Sequence, residues 1–133
     1  MVPLPRYTTV SGIPVTEMID AAKLDAIVDR TKKGGGELVQ LMGTSAWYAP
    51  GAAAAQMVAA ILKDEKRILP CCIKLEGQYG LKDVYLGVPV KLGKNGVESV
   101  IELDLTADEM ALLHESAGHV KEVMSAYDKM GLS

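Results

Sequence analysis

The chain has no phenylalanine and a single tryptophan, with five tyrosines completing its aromatic set. Rings therefore cannot supply most of a core, and aliphatic, Ala and Met side chains must do so. Charge of one sign is also missing: 14 basic and 17 acidic side chains are mixed along the length, for a net charge of −3. With no basic stripe and no acidic tail, nucleic acid and anionic membrane surfaces are poor partners. Apolar runs stay far below the roughly 20 residues of a membrane span, and the opening Met1-Val-Pro-Leu-Pro-Arg6 carries no apolar signal core. A soluble protein without a visible targeting segment is expected.

Cysteine is scarce as well. Cys71 and Cys72 are adjacent in an apolar run, Ile68 to Ile73. Neighbours on a strand point to opposite faces, so a bridge between them is geometrically poor, and no further metal ligands lie nearby. Both read as reduced packing residues of a cytoplasmic protein. With 133 residues the chain has room for one domain with one core.

Met1 to Val15 is β-prone, most clearly at Arg6 to Val10, but it is punctuated by four prolines and glycines, with Ser11-Gly12 as a turn signal. Prolines at this density suit an edge strand or an extended lead-in. Leu24, Ile27 and Val28 then set a helical period, and Leu38, Val39, Leu41 and Met42 resume it after Gly34-Gly35-Gly36. Each glycine costs up to about 1 kcal/mol inside a helix, so a kinked helix or two in series is expected, ending at Gly43. A third helix follows Thr44-Ser45, either of which could cap it, with Pro50 in its first turn and an Ala-rich half from Ala52 to Ala55. That half suits close approach by another helix or subunit, or simple burial.

From Arg67 the period becomes two. Ile68 to Leu75, Val84 to Leu92 and Val97 to Leu105 read as three antiparallel strands. Lys94-Asn95-Gly96 predicts a type I′ hairpin turn, Gly77 to Gly80 a looser connection, and Pro89 an edge or bulged strand. A last helix opens on the capping box Thr106-Ala-Asp-Glu109, with Leu112, Leu113, Ala117, Val120, Val123, Met124 and Tyr127 on one long apolar face. The fold class is α+β, helices packed on a twisted antiparallel sheet.

Reactive chemistry is sparse. No strand precedes Gly34 to Gly36, so the triplet lacks the strand–turn–helix that cradles a dinucleotide phosphate. His114 and His119, five residues apart, are turned about 140° from one another on a helix and cannot share a metal. Both read as solvated surface groups, and no catalytic or metal-binding residue is assigned. Thr44 to Gly51 is the one segment that looks selected for more than packing: small polar residues, then Trp47 and Tyr48, at a helix N-terminus that attracts anions such as a substrate carboxylate.

Several blocks together resemble the lactate/malate dehydrogenase family, within it the malate dehydrogenases most like lactate dehydrogenase: Met1 to Val15, Arg30-Thr-Lys-Lys-Gly-Gly35, Thr44 to Pro50, Glu76 to Gly80 and, most specifically, Gly87 to Glu98. The resemblance runs nearly end to end. It implies that 1–133 is the family's C-terminal substrate and oligomerisation domain, without the N-terminal NAD-binding Rossmann domain. Members exchange hydride between malate and oxaloacetate with NAD, a step of the tricarboxylic acid cycle, in the cytoplasm and as homo-oligomers. Their His-Gly-Asp motif and substrate-clamping arginines have no counterpart here: neither histidine occupies that place, and Arg6, Arg30 and Arg67 do not match the clamp. By motif, Ser45, Ala46 and Pro50 fall on the wall facing substrate and nicotinamide. The resemblance thus implies a chain that binds no cofactor alone, has the NAD-binding half as partner and is inactive by itself; the alternative is a non-catalytic interaction or dimerisation module.

Overall fold

Proline decides how the chain begins. In the computed structural model, which describes residues 1–131, Pro5 starts one 3₁₀ turn, Pro5–Tyr7, leaving only a miniature hairpin of the β-prone stretch. Its strands are β1 (Thr9–Val10) and β2 (Ile13–Pro14), joined by Ser11 and Gly12 at φ 52° and 85°. One helical turn, α1 (Val15–Met18), leads to α2 (Ala21–Met42), where the Asp20 carboxylate accepts from Lys23 N–H at 3.0 Å as N-cap.

The expected break at the glycine triplet does not occur: α2 runs unbroken through Gly34, Gly35 and Gly36. Two exposed ion pairs flank or span it, Lys33 with Asp29 at 2.8 Å and Arg30 with Glu37 at 2.8 Å. Each is worth little alone. The helix does end at Gly43, whose φ of 70° sends its N–H back to the Val39 carbonyl in an αL cap. No residue of α2 is buried.

The chain divides into two compact units, Met1–Gly51 and the stretch from Ala52 onward. In the first, Val15 is the one buried apolar side chain among the described residues. An apolar groove of about 390 Å³ runs between Leu4, Val15, Ile19, Leu24, Ile27 and Val28.

The second unit holds the core. β3 (Arg67–Glu76), β4 (Lys82–Gly93) and β5 (Gly96–Val100) form an antiparallel sheet in the order β3-β4-β5. Along β4 the side chains Val84, Leu86, Val88, Val90 and Leu92 alternate inward with Cys71 and Leu75 of β3. Cys71 is buried, which pushes its thiol pKa up, while Cys72 faces out; both are free, as alternation requires. Helix α4 (Ala107–Lys129) packs against β4, burying Leu113 and Ala117. Its capping box forms as expected, Thr106 N–H to Glu109 Oε2 at 2.9 Å and Glu109 N–H to Thr106 Oγ1 at 3.3 Å.

Three features of the sheet differ from expectation. Pro89 sits in the central strand, paired with Pro70. Neither proline can donate, so this pair lies at a non-hydrogen-bonded position of the β3–β4 ladder, and Pro89 faces β5 instead. There its carbonyl accepts Ile101 N–H at 2.8 Å, just where β5 has ended. The third strand stops at Val100 rather than Leu105 for the same reason: Pro89 has no N–H to return the bond. The hairpin turn is not type I′. Only Gly96 has positive φ, 80°, so the central residues Lys94 and Asn95 lack the positive φ that a type I′ turn needs, and the ladder shifts register further on, at Glu98.

Candidate functional site

Between the αL cap at Gly43 and the first residue of α3 (Tyr48–Leu62) lies a four-residue link, Thr44 to Trp47. Neither Thr44 nor Ser45 caps the helix, because α3 begins later than expected: the Gly51 N–H bonds the Trp47 carbonyl at 3.1 Å. Ser45 and Ala46 therefore precede the helix, and Pro50 is its third residue. Ser45 and Pro50 are exposed and Ala46 half-buried. All three lie within eight residues of the αL turn, on one short segment of the first unit.

The first turn of a helix has N–H groups without helical acceptors. Here Tyr48 and Ala49 keep theirs, and Pro50 has none to offer. From Leu38 to Leu62 no side chain is charged, so the segment supplies a helix dipole, hydroxyls and apolar surface but no acid, base or counter-ion of its own. Trp47 and Tyr48 flank the start of the helix at 70% and 85% exposure. The segment's chemistry is hydrogen bonding and apolar contact, with no charged acid–base group.

The glycine triplet is no phosphate cradle. Its backbone is committed to α2, and it lacks a strand before it. The triplet thus does not form a dinucleotide site. No group of three or more His, Cys, Asp or Glu placed to hold a metal exists among the described residues, and no helix among them is long and apolar enough to cross a membrane.

The histidines differ from one another. His114 is not simply solvated: its Nε2 lies 3.0 Å from the Tyr79 carbonyl, which can only accept, so Nε2 carries the proton. Tyr79, expected in a loose connection, is buried at φ 55° and pins the exit from the sheet. Its N–H donates to Glu102 Oε2 at 2.9 Å, its hydroxyl donates to the Ile101 carbonyl at 3.2 Å, and that hydroxyl accepts Leu103 N–H at 2.9 Å. Arg6 lies over the Tyr7 ring, 4.4 Å from its centre.

A second cluster joins the end of α3 to the β4–β5 hairpin. Glu65 N–H bonds the Ala60 carbonyl and Asp64 N–H the Ile61 carbonyl, a Schellman ending with Asp64 at φ 52° where glycine is usual. The Asp64 carboxylate explains the exception: Oδ1 accepts Lys94 N–H at 2.8 Å and meets Lys66 Nζ at 2.9 Å. Lys66 also contacts Glu98, which has Lys91 at 3.7 Å. The Lys94 N–H holds the Asp64 carboxyl below its ordinary pKa, and Glu98 with Asp64 raises that of Lys66. Gly93 sits beneath them, and a Cβ there would lie 2.6 Å from Glu98 Oε1 and 2.9 Å from Asp64 Oδ1, so the carboxylates would have to shift. Sequence reading gave no sign of this cluster, whose members come together only through the fold.

Residues 2–130 match the model of the lactate/malate dehydrogenase alpha/beta C-terminal domain. The chain belongs to the lactate/malate dehydrogenase family. It is 71% identical over 128 residues to the malate dehydrogenase of Cytophaga hutchinsonii, covering 96% of this chain and 41% of that protein. It is 69% identical to the malate dehydrogenase of Salinibacter ruber over 120 residues, covering 90% of this chain and 38% of that one. The solved structure of a Salinibacter ruber malate dehydrogenase superposes with a TM-score of 0.95 at 64% identity, covering 97% of this chain and 42% of the other. The chain thus spans about two-fifths of the length of the relatives it matches. The fold expectation, helices with an antiparallel sheet in this family's C-terminal-domain arrangement, holds.

Proposed function

We propose that the chain is the substrate-side, C-terminal part of an NAD-dependent malate dehydrogenase, working with an NAD-binding half and inactive alone. The match of residues 2–130 to that domain carries the reading. In it, Ser45, Ala46 and Pro50 form the wall beside substrate and nicotinamide, with the N-terminus of α3 turned towards an anionic substrate. The hydride exchange between malate and oxaloacetate, its place in the tricarboxylic acid cycle, a cytoplasmic setting and a homo-oligomeric state belong to the same reading. Lack of activity follows from catalysis being positioning and electrostatics: without a proton-transferring His–Asp pair, substrate arginines and a cofactor site, most of the acceleration is absent.

The alternative, a non-catalytic interaction or dimerisation module, is favoured by one observation. Uncharged α3 is exposed along most of its length, with Leu62 80% exposed, and such apolar patches drive association. NADH oxidation by oxaloacetate separates the two readings. The 133-residue chain is expected to give no rate above background alone and a measurable rate when co-expressed with the NAD-binding half of a close relative. A rate from the chain alone would overturn the claim of inactivity; a dimer without recovered activity would favour the interaction module.

A further inference from the structure

We draw no further inference here: the strongest candidate, the exposed uncharged face of α3 from Ala52 to Leu62, is an apolar helix surface, and nothing in the structure shows what covers it.

Discussion

The two units hold glycine for opposite reasons. In the first, Gly34, Gly35 and Gly36 lie inside a continuous helix where a Cβ would meet nothing within 4 Å. In the second, Gly93 lies under a carboxylate cluster that would have to shift to admit a Cβ. The first unit is helix with one buried apolar residue; the second is a sheet whose inward side chains are nearly all buried. Glycine is tolerated in the first unit because nothing crowds it, whereas in the second a side chain at Gly93 would have to displace a carboxylate.

That contrast can be tested by substitution. Leu75, fully buried on β3, should lose about 2–5 kcal/mol as Leu75→Ala, read as a lowered midpoint in urea unfolding. Ile27→Ala on half-exposed α2 should cost well under half of that; equal losses would mean the first unit is as tightly packed as the second. Gly93→Ala should cost about 1–3 kcal/mol by displacing Glu98 and Asp64. Asp64→Ala should lower the unfolding midpoint by less, since it keeps the left-handed backbone and loses the bonds to Lys94 and Lys66. Asp64→Gly should cost less because it relieves the backbone. If the two Asp64 variants lose the same amount, the strain at φ 52° contributes nothing. Gly35→Ala should act in the other direction, stabilising by about 0.5–1 kcal/mol, seen as slower amide exchange in α2.

The smallest effect is with pH. The Asp64 carboxyl has a folded pKa below its ordinary value. Its contribution is therefore present above the unfolded pKa of about 3.9 and lost as pH falls through the folded one. Glu37, lowered by its bond to Arg30, follows the same sign in the first unit. The acid limb of a stability–pH curve should flatten in Asp64→Asn and change less in Glu37→Gln, whose pair is exposed and screened.

Much of this was legible in the sequence. Hydrophobic period found all three long helices and all three strands of the larger sheet, and Thr106 with Glu109 announced the start of α4 because a capping box is local. Gly43 announced the end of α2 for the same reason. Most of what was missed is non-local, the glycine triplet excepted. Propensity argued for a break at Gly34 to Gly36, but three unfavourable residues did not end a helix that has good formers on both sides. Pro89 predicts an edge or bulged strand; β4 is central yet carries a register shift at Asp83, and sequence does not reveal which groups a neighbouring strand leaves unpaired. The apolar face of α4 reads as one long stripe, and of it only Leu113 and Ala117 are buried while Val123 is 71% exposed. Pattern shows that a face is apolar, not what lies against it. The candidate wall at Ser45, Ala46 and Pro50 came from family resemblance; the structure places these residues on one segment at the start of α3 without a reactive group among them.

The bond that Pro89 cannot make has a consequence for how this domain can change. Tyr79, through its hydroxyl, occupies the Ile101 carbonyl that a donor at position 89 would have served. Substitutions at the two positions should therefore be non-additive, because both bear on the Ile101 backbone. Replacing Tyr79 by Phe while Pro89 remains strips two backbone groups at once, whereas a non-proline at 89 first would restore one partner and soften the later loss.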